Sequence, residues 1–238
     1  MHADKKIGRN FVRLIVENVL IICHGLPYES GSVVEKGYLD LAKFFASKNI
    51  PSVIFDFSGT GLSEGNFSLK LWVEDLVGIS EEFERVSILG YSMGGAVAVR
   101  AASKIETLEN IVLVASPCCV DMFSESILKM IYENARMKNL LRGVGDYETF
   151  KKSFIEEFLE IEPKNFIGKI KVPKLIIHGR EDDIVPFENG LALFELASKP
   201  KTFVELKTGN HFLRQNPIVS EIIVDWLKGK INKDKIIV

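Results

Sequence analysis

Short runs of apolar, often β-branched residues recur along the chain, at 11–16, 19–23, 52–57, 86–89, 111–115, 175–178 and 202–206. Each is of strand length. Several are apolar throughout, as a strand must be when helices cover both faces of a parallel sheet. Between them, the segments 34–48, 69–83, 94–104, 188–198 and 217–230 place apolar residues at helical spacing. This alternation predicts an α/β architecture with a doubly wound, mostly parallel sheet. Ahead of 19–23 there is room for one strand only. One stretch breaks the rhythm. Residues 118–170 hold no convincing strand, and Met122, Phe123, Ile127, Met130, Ile131, Phe150, Phe154 and Phe158 recur there at helical spacing. The pattern predicts one domain over 1–238 with a helical cap inserted at 118–170. An insertion on the carboxyl side of the strands lies over the crevice where such sheets take ligands. Its Met and Phe residues suit an apolar ligand, and equally suit a core.

Composition narrows the function classes. A formal net charge of −2 gives no electrostatic case for nucleic acid or an anionic membrane surface. Lys5-Lys6, Glu81-Glu82 and Lys151-Lys152 read as solvated faces. The three cysteines, Cys23 and the adjacent Cys118 and Cys119, make neither a disulfide framework nor a metal-binding spacing. They point to a reducing compartment. The first ten residues are polar and lack the apolar core of a signal peptide. No apolar run approaches the roughly 20 residues that span a bilayer. The expectation is a soluble cytoplasmic protein without stable membrane insertion.

The sharpest chemical signal is Gly90-Tyr91-Ser92-Met93-Gly94-Gly95, set between a strand and a helix. As a bare G-x-S-x-G it is weak, with a chance occurrence on the order of 0.1 in a chain of this length. Its setting carries it: a serine on a tight strand-to-helix turn projects its hydroxyl above the sheet, and the flanking glycines leave room for the turn. The helix N-terminus offers N–H groups to a developing oxyanion. Ser92 as nucleophile needs a base. Of four histidines, His2 is terminal, while His24 and His178 each end a strand before a glycine. His211 stands in the loop between the last of these strands and the last helix, where its imidazole can reach over the sheet edge, so it is the candidate base. The base needs an acid to fix its tautomer. Glu181, Asp182 and Asp183 stand together after the strand at 175–178, and spacing does not choose among them. For the oxyanion hole the candidates are the N–H groups of Met93 and of Leu26, in His24-Gly25-Leu26-Pro27; Pro27 has no N–H to give. The glycine-rich 56–65 loop matches neither a dinucleotide fingerprint nor a P-loop, and reads as a structural loop beside the site.

Taken in order, the His24-Gly25-Leu26 turn, the 56–65 loop, Gly90 to Gly95, Gly179 to Pro186 and Gly209 to Phe212 resemble the α/β-hydrolase family, in its nucleophile, acid, base order. The family's acid turn usually reads G-x-x-D-x-x-V-P. Laid on this chain, that pattern selects Asp182, with Asp183 as the fallback. The resemblance also implies Leu26 and Met93 as the oxyanion-hole amides. The 56–65 pattern is similar to carboxylesterases of the cinnamoyl and feruloyl esterase branch, and to serine aminopeptidase-like and monoacylglycerol lipase-like hydrolases. It departs from many relatives at Ser58, where they carry Arg.

The expected activity is hydrolysis of a small-molecule carboxylic ester through an acyl-enzyme on Ser92, His211 and Asp182, with no metal or organic cofactor. The alternatives on the same machinery are a thioesterase and an aminopeptidase-like peptidase. The peptidase needs an acid near the site to bind a free amino terminus, and the inserted segment offers Glu125, Glu133, Glu148, Glu156 and Glu157. A non-catalytic ligand-binding module on the same fold is the reading from another class.

Overall fold

The structure is a computed structural model; it describes residues 18–238 in full and, ahead of them, the backbone of two strands, β1 (His2–Ile7) and β2 (Asn10–Ile15). β1 and β2 pair antiparallel, His2 opposite Ile15 and Ile7 opposite Asn10, as a separate two-stranded sheet. The expectation of a single leading strand is therefore corrected. The polar sequence of β1 gives no alternation to read, and its strand state comes from pairing with β2.

The main sheet has seven strands. β3 (Asn18–Cys23), β4 (Ser52–Ile54), β5 (Arg85–Tyr91), β6 (Leu108–Val114), β7 (Lys174–Gly179), β8 (Lys201–Leu206) and β9 (Lys235–Ile237) lie in the order β4-β3-β5-β6-β7-β8-β9. Every neighbouring pair is parallel. The three-residue edge strand β9 is too short to stand out from its lysine-rich surroundings, and tertiary pairing with β8 defines it.

Helices cover both faces. α1 (Tyr38–Ser47) and α7 (Pro217–Leu227) pack on one; α2 (Leu69–Glu81), α3 (Met93–Ala101) and α6 (Phe187–Leu196) pack on the other. The pleat divides each strand between them. Val19, Ile21 and Cys23 of β3 join the α2–α3 side, while Leu20 and Ile22 join the α1–α7 side. That two-sided burial is why the strands read as continuous apolar runs.

Between β6 and β7, where the alternation fails, the chain forms α4 (Glu125–Met137) and α5 (Tyr147–Ile161) with three short 3-10 turns. Ser124 and Asp146 cap their N-termini, accepting from the N–H groups of Ile127 and Thr149. Phe150, Phe154, Phe158 and Ile161 of α5 are buried at i, i+4, i+8 and i+11. Phe123, ahead of α4, meets Phe154 and Phe158 edge-on with ring centroids 5.1 and 4.6 Å apart. Part of the apolar pattern in 118–170 is thus core. Glu157 of α5 accepts from Ser68 Oγ and from the N–H groups of Leu69 and Lys70 at the start of α2. One helix thereby caps another.

Candidate active site

β5 runs straight into α3, and Ser92 at the junction has φ 50° and ψ −124°, outside the helical and extended regions. A side chain at Gly90 would place its Cβ 2.5 Å from Gly95 Cα, backbone against backbone. Ser92 is the N-cap residue of α3, yet its side chain makes no capping bond. Its hydroxyl therefore occupies none of the first N–H groups of α3; the third of these, that of Gly95, donates to the Ser92 carbonyl at 2.9 Å.

His211 Nε2 lies 3.1 Å from Ser92 Oγ. His211 Nδ1 lies 2.9 Å from Asp182 Oδ2 and 3.1 Å from Oδ1. The acid turn holds Asp182 from below, because Oδ1 also accepts from the N–H groups of Val185 at 2.8 Å and Ile184 at 3.1 Å. Burial on its own pushes the Asp182 carboxyl up. Hydrogen bonds from His178 and His211, the charge of His211 and the Val185 N–H outweigh it and hold the carboxyl well below the usual carboxylate range. An ionised carboxylate only accepts, so His211 carries its proton on Nδ1 and turns the Nε2 lone pair toward the Ser92 hydroxyl.

Of the three acids after β7, only Asp182 has an ion-pair or hydrogen-bond contact with His211 among the described residues. Sequence reasoning missed its second partner. His178 Nε2 sits 2.9 Å from the Val185 carbonyl and 3.3 Å from Asp182 Oδ2. The carbonyl can only accept, so Nε2 carries the proton, and it also faces Asp182 Oδ2, the same oxygen that His211 Nδ1 meets. His24 has another fate. Its Nδ1 donates to the Gly25 carbonyl at 2.6 Å and its Nε2 accepts from the Phe57 N–H at 3.0 Å. Burial pushes its imidazole down to about 4, so it stays neutral and ties β3 to the 56–65 loop.

Gly25 lies against the serine: a Cβ there would stand 2.9 Å from Ser92 Cβ and 3.5 Å from Oγ. The next N–H, that of Leu26, donates to no acceptor among the described residues, and both Leu26 and Met93 border the cavity above Ser92.

The 56–65 loop is held from inside. Asp56 accepts from the N–H groups of Val33, Val34 and Leu62 at 2.7, 3.1 and 2.9 Å. Ser58 bonds Asp75 of α2 through its N–H and its hydroxyl. Arg142, in the segment between β6 and β7, donates to the carbonyls of Gly61, Thr60 and Gly65. A guanidinium serves this loop, but from a distant stretch of sequence. No cluster of three or more His, Cys, Asp or Glu able to hold a metal ion occurs among the described residues.

The cavity over Ser92 and His211 measures about 340 Å³. Met122, Phe123, Ile127 and Ile131, from the segment between β6 and β7, line its apolar part. Glu29 is the only carboxylate among the described residues that line it. None of the inserted-segment glutamates reaches it: Glu125 pairs with Lys151 and Tyr147, Glu157 caps α2, and Glu133, Glu148 and Glu156 are exposed.

A family model described as serine aminopeptidase matches residues 15–143, and one described as the prolyl oligopeptidase family matches residues 80–234. Each takes in more than half of the chain. The chain belongs to the α/β-hydrolase family. Among α/β-hydrolase relatives, it is 29% identical over 185 residues to alpha/beta hydrolase domain-containing protein 17B of Xenopus laevis, covering 74% of this chain and 56% of that protein. It is 26% identical over 204 residues to protein 17C of Mus musculus, covering 81% and 54%. The chain thus spans little more than half the length of these curated relatives. In fold it is similar to a monoacylglycerol lipase of Paleococcus ferrophilus, at TM-score 0.69 and 20% identity over 89% of this chain and 94% of that one. An esterase of Exiguobacterium antarcticum aligns at TM-score 0.65 and 17% identity, over 90% and 92%. The similarity to a cinnamoyl esterase branch in particular has no counterpart among these matches. No helix among the described residues is long and apolar enough to cross a membrane.

Proposed function

We propose that this hydrolase cleaves carboxylic esters of small molecules through an acyl-enzyme on Ser92. The observation that carries the reading is the unbroken line from Asp182 through His211 to Ser92 Oγ, with contacts of 2.9 and 3.1 Å, opening into a largely apolar cavity. His211 Nε2 takes the Ser92 proton as Oγ attacks the acyl carbon, and the carbonyl oxygen becomes an oxyanion. The amides of Met93 and Leu26 stabilise that charge, and Asp182 stabilises the imidazolium. The proton passes from Nε2 to the departing alkoxide. Water then gives its proton to Nε2, attacks the acyl carbon, and releases the acid with Ser92 restored. Residues 118–170 act as the cap, supplying the wall against which the acyl chain lies.

The aminopeptidase reading draws on the description of one matching family model. It needs a free acid to hold an amino terminus. The one lining carboxylate among the described residues, Glu29, already faces Lys36 at 3.6 Å, which supports the ester reading over this one.

The test is a panel of p-nitrophenyl acyl esters beside aminoacyl p-nitroanilides, with wild type and Ser92→Ala. Ester turnover that falls at least about 10³-fold in the variant is the expected result. Preference for the anilides, or a Ser92→Ala protein as active as wild type, overturns the reading.

A further inference from the structure

The mouth of the cavity differs from its interior. Among the described residues, Lys36, Lys138 and Arg214 all border it, against the single carboxylate of Glu29. The chain as a whole is slightly acidic, so this is a local excess of positive charge. The three cations come from separate places: the stretch before α1, the C-terminal end of α4, and the 3-10 turn just beyond His211.

Their partners are unequal. Lys36 faces Glu29, and Lys138 donates to the Tyr28 carbonyl at 3.1 Å. Arg214 is held without neutralisation. Its guanidinium lies 4.5 Å from the centre of the Tyr38 ring and donates through one terminal nitrogen to Tyr28 Oη at 2.9 Å. No carboxylate lies within ion-pair distance of it among the described residues. A half-buried guanidinium fixed on an aromatic ring, with N–H groups left over, is a preorganised receptor for a planar or tetrahedral oxyanion.

Resting on the ester-hydrolase reading, we propose that the substrate is an acyl ester whose alcohol portion carries a phosphate or carboxylate, received by Arg214 with Lys36 and Lys138 beside it. The anion belongs on the alcohol side. The apolar wall of Met122, Phe123, Ile127 and Ile131 offers a charge on the acyl chain no partner, and burying it there is costly. Cleavage then leaves the acid in the apolar part of the cavity and frees an anionic alcohol at the mouth.

The experiment compares three butyrate esters: those of 4-hydroxybenzoate and 4-hydroxyphenyl phosphate, and that of neutral methyl 4-hydroxybenzoate. Each is given to wild type, Arg214→Gln and Arg214→Lys. For wild type, kcat/KM should favour the anionic esters about tenfold, mainly through KM, with the preference shrinking as salt rises. The anionic-to-neutral ratio should collapse toward one in Arg214→Gln and recover in part in Arg214→Lys, whatever the absolute rates. The salt dependence of wild type stands even if a variant fails to fold. The phosphate and carboxylate arms tell the two anions apart. Equal turnover of all three esters by wild type, or a ratio unchanged in Arg214→Gln, overturns the proposal. So does finding that the cations only recruit the protein to phosphatidylserine vesicles. Absence of turnover of every ester removes the hydrolase reading and this proposal with it, and is distinguished from an unselective esterase by the neutral ester.

Discussion

The loops at the carboxyl ends of the strands and the helical segment between β6 and β7 build the same cavity by different means. At the strand ends, each group is placed by backbone geometry over a few residues. Ser92 sits on a junction that Gly90 permits, Asp182 is gripped by the N–H groups two and three residues on, and His211 follows β8 within one loop. In the helical segment, position comes from packing over long separations: Phe154 against Phe67 and Phe123, Glu157 on the start of α2, Arg142 on the 56–65 loop. On the proposed function, the first region sets which reaction is possible, and the second sets what fits. A substitution in the first should therefore act on turnover with little loss of fold, and one in the second on stability or selectivity.

The largest expected break in that comparison is Phe154→Ala. The ring is 1% exposed and shared among Phe67, Phe123 and Phe150. Its removal should cost about 3–5 kcal/mol of stability in denaturant unfolding, while short-chain ester turnover at low temperature stays within a few fold. A loss of turnover comparable to that of Ser92→Ala would show the two regions to be inseparable.

His178→Leu probes the border between them. It leaves the Val185 carbonyl without its donor and takes one hydrogen bond from Asp182, so a loss of roughly 1–3 kcal/mol at neutral pH is expected. The sign with pH follows from the depressed Asp182 carboxyl: its stabilisation is present above the unfolded carboxylate value, near 3.9, and is lost as pH falls through the folded value. The gap between wild type and variant should therefore narrow below about pH 4. A gap constant down to pH 2 would mean that His178 does not act through Asp182.

The smallest effect is the most selective. Ile131→Trp should fill part of the apolar wall and lower the preference for long over short acyl chains about tenfold, with the fold intact. A chain-length profile unchanged in the variant would place the acyl group elsewhere.

Much of this was legible in the order of residues. The strands of the main sheet announce themselves because both faces are covered. The Gly90–Gly95 stretch announces the junction because only that spacing of glycines lets strand, serine and helix meet. Asp182 could be selected by the family's turn pattern; its contact with His211 could not be read from three acids in a row, because which one points inward depends on how the turn folds under β8. The strands β1 and β9 lay below any composition signal. His178 carries no periodic mark, and its bond to Asp182 exists only because the turn after β7 doubles back. The sequence by itself determined the alternation of strand and helix and the chemical types at the strand ends, since these rest on local rules of backbone and side-chain burial. The tertiary structure alone decided the shape of the cavity, the clamp of Arg142 on a loop far back in the chain, and the cations gathered from three segments at its mouth. Each of those depends on contacts between residues that the chain keeps far apart.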